Sequence, residues 1–177
     1  MPINIDSETH CQSEETLISK ASNLEIDLRA LQRLSQIAKN TKRARLRLCA
    51  HQNDEDPIHE MFIVHPKRAY VPPHKHLNKS ESILILSGNC DYFIFSDQGE
   101  VKEKLSLGCV ASGDSFFFRL QEPLFHTLLI HSPELIFLEI TKGPFLRHDT
   151  VLADWAPDQT QSSEIESFHA YLADWSP

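Results

Sequence analysis

The sequence lacks closely spaced cysteines. Cys11, Cys49, Cys90 and Cys109 lie far apart with no C-x-x-C pair, which argues against a thiolate zinc site or a disulfide framework and fits reduced thiols in a cytosol. No apolar run approaches the ~20 residues that a membrane helix needs. The first twenty residues carry neither the basic region nor the apolar region of a secretory signal, so a cytoplasmic protein without membrane contact is expected. A basic stripe is missing too. The formal charge is −8, and the acids gather at the ends: residues 1–28 hold six acids and one base, residues 149–177 six acids and no base, and residues 29–148 keep 16 bases against 13 acids. With no basic face to displace phosphate counterions, nucleic-acid binding is not expected. Glycine is scarce, at 5 in 177 residues, whereas histidine reaches 10, and this abundance raises the question of metal ligation.

The length fits one domain. Residues 1–15 are polar and unpatterned and read as a loose tail. Leu24, Leu28, Leu31, Leu34 and Ala38 recur at helical spacing, which predicts an amphipathic helix from Asn23, as N-cap, to Asn40. From Thr41 the period becomes two. Short runs rich in β-branched and aromatic residues (45–48, 58–64, 81–86, 91–95, 101–107, 115–120, 124–130 and 135–140) are separated by turn residues such as Gly88-Asn89 and Asp97-Gln98-Gly99. So many strands without intervening helices predict an all-β sandwich or barrel. The expected organisation is an N-terminal tail and helix over 1–42, a barrel over 43–148 and an acidic extension over 149–177. In that extension Ser163 and Glu166 have capping-box spacing ahead of Ile165, Phe168 and Leu172. Leu152-Ala153-Asp154-Trp155-Ala156-Pro157 recurs as Leu172-Ala173-Asp174-Trp175-Ser176-Pro177, and both tryptophans lie in this hexapeptide, so each copy is a candidate to pin its segment by docking an indole on the barrel or a neighbouring subunit.

The chemistry concentrates in Pro72-Pro73-His74-Lys75-His76-Leu77-Asn78-Lys79-Ser80-Glu81. Residues two apart on a strand share a face, so His74 and His76 present two imidazoles to one point. Glu81 heads the next strand and shares its face with Ile83 and Ile85, where an ionised carboxylate is costly unless it meets a cation. His126, in a run apolar at both parities, supplies a fourth ligand, while His131 has the opposite parity and points away. Three imidazoles and a carboxylate, with no thiolate, suit one divalent Fe, Mn, Ni or Zn ion and do not choose among them. On a six-coordinate ion two positions would remain for water or a chelating substrate. For the other seven histidines a surface or locally hydrogen-bonded role is expected.

The H-x-H, Glu81 and Gly88 spacing resembles the first cupin motif, with Arg68 where that motif has a glycine. Of the second motif only His126 is kept, since Ile130 and Gln121 stand where asparagine and proline are usual. A fuller resemblance, over about residues 43–157, is to the WbuC family of cupin-fold metalloproteins associated with bacterial surface-polysaccharide clusters. It is carried by Arg45-Leu46-Arg47, Asp56-Pro57-Ile58-His59-Glu60-Met61, Tyr70-Val71-Pro72-Pro73-His74, Pro123-Leu124-Phe125-His126-Thr127, Gly143-Pro144-Phe145 and Trp155-Ala156-Pro157. The resemblance implies a double-stranded β-helix, the jelly-roll barrel, around one metal, but no settled reaction. Tyr70, Glu139 and Arg47 are pocket candidates: a phenol donor, an inward carboxylate for proton transfer or for orienting a ligand histidine, and an anion partner. The expectation is a metal-dependent enzyme acting on a small sugar or sugar-nucleotide-like molecule. A non-catalytic metabolite-binding or sensing cupin and an Fe(II) dioxygenase stay open beside an isomerase, epimerase or lyase. A homodimer formed through strand edges is expected.

Overall fold

In the computed structural model, which describes residues 1–176, the period-two segments become strands of two sheets. In chain order the elements are β1 (Thr9–Ser13), β2 (Thr16–Ser19), α1 (Leu28–Ala38), β3 (Leu46–Cys49), β4 (Ile58–Pro66), β5 (His74–His76) and β6 (Glu81–Ser87). There follow β7 (Asn89–Phe95), β8 (Val101–Gly108), β9 (Phe117–Leu120), β10 (Phe125–Ile130), β11 (Glu134–Lys142), β12 (Thr150–Leu152) and α2 (Ser162–Asp174). One sheet has the order β1-β2-β3-β4-β11-β6-β9 and the other β12-β5-β10-β7-β8. The β2–β3 pair is parallel, and the other paired strands run antiparallel.

The sheets close face to face over one core. Met61, Ile63, Ile83, Ile85 and Phe137 from the first sheet meet Cys90, Tyr92, Ile94, Leu128 and Ile130 from the second. The two facing sheets form a jelly-roll barrel. At the β6–β7 turn Gly88 has φ +86°, and a Cβ there would collide with the Glu134 carbonyl and the Ser132 hydroxyl, so glycine is required by both conformation and space.

Two apolar layers cover the outer faces. Ala30, Leu34 and Ala38 of α1 pack on Leu46, Leu48, Val64 and Ile136, and burying Leu34 completely contributes about 2 kcal/mol. The helix starts later than Asn23, because Asp27 is the cap that accepts from the Ala30 N–H at 2.8 Å. On the second sheet Phe93, Phe95, Phe125 and Leu129 are covered by Ala153, Leu172, Trp155 and Trp175. Trp155 packs on Phe95 and Phe125, and Trp175 lies edge-on to Phe93. Both copies of the repeat thus dock an indole on the barrel, with Pro177 outside the described residues.

Three sequence expectations are corrected. Residues 1–15, expected as a loose tail, hold β1, which together with β2 directly after it widens the first sheet, and Ile3 and Ile5 are buried beside α1. Their signal was weak because β1 is an edge strand with four exposed residues of five. The acidic extension does not merely follow the barrel, since β12 pairs with β5. Ser163 is no cap: α2 begins at Ser162 behind Gln161, which makes no side-chain capping bond.

Candidate metal centre

The four residues picked out by spacing meet between the sheets. His74 and His76 alternate on β5, and His126 of β10 lies directly opposite His74. The ring centroids of His74 are 5.0 Å from those of His76 and 4.4 Å from those of His126, and His76 and His126 are 5.6 Å apart. Residues 77–80 carry the chain to the other sheet, where Glu81 opens β6 opposite Thr141 and Leu120. One ligand atom from each of the four residues lies within 4.8 Å of the others.

Each imidazole is oriented by its second nitrogen. The Nδ1–H of His74 donates to the Pro72 carbonyl at 2.9 Å, and that of His126 to the Leu124 carbonyl at 2.9 Å. His76 Nδ1 lies 3.2 Å from the Thr150 hydroxyl. A carbonyl can only accept, so the Nε2 atoms of His74 and His126 carry lone pairs, which is the tautomer that metal ligation requires. His76 Nε2 is 3.0 Å and His126 Nε2 3.6 Å from the Glu81 carboxylate. His126 Nε2 is buried without a hydrogen-bond partner. Two further contacts fix the loop between the ligands: Asn78 Nδ2 donates to the buried Asp149 carboxylate at 2.7 Å, and the Leu77 N–H to the Asp149 carbonyl at 2.9 Å.

The electrostatics are those of a site built for a cation. Burial opposes ionisation of Glu81, but His126 first and then His76 and His74 outweigh it and hold its carboxyl well below the usual range. Burial, reinforced by His126, pushes the His74 imidazole down to about 4. At His126 burial is outweighed by Glu81, and the net shift is upward. Tyr92 stacks on His126 with centroids 5.4 Å apart and planes within 9°, and burial and Glu81 push its phenol well above 10. Spacing did not reveal Tyr92; its available signal was a tyrosine at the inward parity of an apolar strand.

The site opens into a cavity of about 960 Å³. Arg47 and Glu139 line it. Glu139 stands opposite Ile83 and Met61, on the inward face next to the Glu81 row, and burial followed by the charge of Glu81 pushes it up to about 8. Tyr70 is a correction. Its hydroxyl donates to the Pro157 carbonyl at 2.8 Å and its ring packs on Phe168 and His169, outside the barrel. Pro72 and Pro73 interrupt the strand, so parity does not carry from His74 back to Tyr70. His131 points away as expected, to Asp91 at 2.8 Å. His10, His51 and His59, given no role by the sequence, line the cavity, with His51 and His59 stacked at 4.0 Å. The parity of His59 with Met61 was readable, but its pairing with His51 was not.

The donor set fits a divalent transition metal: two imidazole lone pairs fixed by backbone acceptors, a third held by a hydroxyl, a buried carboxylate and no thiolate. Oxidation-sensitive ligands are absent from the cluster. Among the described residues no helix is long and apolar enough to cross a membrane.

Residues 26–107 match the family model described as Domain of unknown function (DUF6016). No curated protein matches the sequence. Among solved structures the chain is similar to a protein from Shewanella oneidensis, at 11% identity and a TM-score of 0.53, over 74% of this chain and 85% of that one. It is also similar to an uncharacterized conserved protein with a double-stranded beta-helix domain from Klebsiella pneumoniae, at 12% identity and a TM-score of 0.48, over 62% of this chain and 80% of that one. Oxalate decarboxylase from Bacillus subtilis matches at 17% identity and a TM-score of 0.45, over 68% of this chain and 29% of that one. The chain thus spans less than a third of the decarboxylase, and 21% of procruciferin, an 11S globulin from Brassica napus that it also matches. The likeness to the Shewanella protein is one of fold.

Proposed function

We propose that His74, His76, Glu81 and His126 hold one divalent metal and that the chain is a metal-dependent enzyme acting on a small molecule taken into the adjoining cavity. The observation that carries this reading is the convergence of imidazole nitrogens whose partners on the far side of each ring are already engaged. Fe, Mn, Ni and Zn all suit the donors. Bound there, the ion would act as a Lewis acid on a carbonyl or hydroxyl oxygen.

The chain's own groups supply the rest. Pro72, Leu124 and Thr150 hold the ligand rings in place, so the site is arranged before a substrate arrives. Glu139, on the inward face and pushed up to about 8, is suited to giving or taking a proton near neutrality at a substrate atom beside the ligand cluster. A small sugar or sugar-nucleotide-like substrate is in keeping with the cavity volume and with the WbuC resemblance. Four unpaired thiols agree with a reducing cytosol, and a homodimer through strand edges is part of the same reading.

The test is metal content after expression and gel filtration. The intact chain is expected to carry about one equivalent, and Glu81→Gln almost none. Full retention in Glu81→Gln would remove the carboxylate from the site.

A further inference from the structure

Several cations of this protein are held in ion pairs, and three that are not gather at the cavity. Arg33 pairs with Asp6, Arg43 and Arg45 with Glu15, Lys75 with Asp97 and Lys104 with Asp91. Arg47, Lys79 and Arg147 line the cavity and make no ion pair among the described residues. Asp54 and Glu139 line the same cavity, and among the described residues neither makes an ion pair with a cation. Lys79 lies in the loop that joins His76 to Glu81, with its ammonium 5.5 Å from the Phe145 ring. Arg147 stands just ahead of Thr150, which holds His76. Both therefore belong to the metal end.

Arg47 belongs to the other end. It alternates with Leu46 and Leu48, which face α1, so its side chain leaves the inward face of β3, where its guanidinium is 3.6 Å from the Met61 sulfur. Met61 opposes Glu139, and Glu139 opposes Ile83 on β6. Two strand intervals thus separate Met61 from β6, roughly 10 Å across the sheet. A thioether is a weak acceptor that leaves a guanidinium's fork of donors free, and that fork matches carboxylate or phosphate oxygens.

We infer that the cavity takes a two-ended substrate, one end lying at the His74, His76, Glu81 and His126 cluster and the other bearing an anionic group, phosphate or carboxylate, held by Arg47. This inference rests on the reading of the cluster as the reacting end. It makes Arg47 the residue that sets substrate length and charge, with Lys79 and Arg147 flanking the near end. β1 and β2 complete the wall around the anionic end, since His10, Gln12, Thr16 and Ile18 also line the cavity.

The experiment is calorimetric titration of the full chain with glucose, glucose 6-phosphate, glucuronate and inorganic phosphate, repeated with Arg47→Gln, Glu81→Gln and, as a surface control, Arg33→Gln. At least one of the two charged sugars is expected to bind about tenfold or more tightly than glucose, and Arg47→Gln to remove that preference while Arg33→Gln keeps it. Whether glucose 6-phosphate or glucuronate shows the larger loss identifies phosphate or carboxylate as the anion. Glu81→Gln is expected to lose metal yet keep the preference, so failure of the metal assignment and failure of the anion site are read separately. Equal binding of glucose and its charged forms by the intact chain, or a preference undiminished in folded Arg47→Gln, overturns the inference. Binding of inorganic phosphate alone also overturns it. The glucose comparison is made on the intact chain and so does not depend on the variant's folding.

Discussion

The two faces of the five-stranded sheet are built from the same strands and do opposite work. On β10, His126, Leu128 and Ile130 turn inward, while Phe125 and Leu129 turn outward to Trp155 and Leu172. On β7, Tyr92 and Ile94 turn inward and Phe93 and Phe95 outward. All of β10 is buried, and so is all of β7 except Asn89. Burial therefore does not separate the faces; polarity does. The outward face holds aromatic rings beside charges already paired, Asp91 with Lys104 and Lys75 with Asp97, and the inward face holds three imidazoles turned toward the Glu81 carboxylate of the other sheet. Stability and chemistry can thus be altered independently by substitutions one residue apart.

The sharpest way to break that comparison is to remove a ligand. His126→Ala is expected to lower metal affinity on the order of 1000-fold while the chain stays folded, read by metal titration and circular dichroism. A fall in stability with metal binding unchanged would reverse the roles of the faces. The outward counterpart is Leu172→Ala. It empties a fully buried position and is expected to cost about 3 kcal/mol in urea unfolding, with metal stoichiometry unaltered. Metal loss in this variant would join the two faces into one unit.

A finer division separates ligands from the groups that orient them. Thr150→Val removes the hydroxyl beside His76 Nδ1 and is expected to weaken metal binding about tenfold, with the stoichiometry still near one. An effect as large as that of His126→Ala would make Thr150 more than a positioning residue.

The smallest effect concerns a histidine away from the cluster. Burial first, and then Arg45 and Arg47, push His65 down to about 3, whereas Glu81 raises His126. Between about pH 3 and 6.5 the unfolded chain takes up a proton at His65 that the folded chain refuses, so stability falls as pH drops below 6.5. The expected slope is about 1 kcal/mol per pH unit, and His65→Gln should flatten it by that amount in urea midpoints measured from pH 6.5 to 5.

The ligands were legible because they are local. His74, His76 and Glu81 sit on two strands joined by residues 77–80, and a histidine in the apolar run around residue 126 is conspicuous whichever face is inward. The strands from β3 to β11, apart from the three-residue β5, were legible by period two and by their turn residues. The cavity wall was less so. β1 is a short edge strand paired only with β2, β2 joins the sheet through β3 on the far side of α1 in the chain, and the stack of His51 on His59 depends on a loop conformation that no periodicity encodes. Tyr70 was misread because parity was carried across two prolines. The role of Trp155 and Trp175 was visible as a repeat, but which face they cover depended on the fold.

The central claim is the four-residue metal site, and X-ray absorption at the edge of the metal that copurifies with the chain tests it most directly. The account predicts a first shell of nitrogen and oxygen with outer-shell scattering from three imidazoles, falling to two in His126→Ala. A sulfur shell at about 2.3 Å, or a shell with no imidazole scattering, would contradict it.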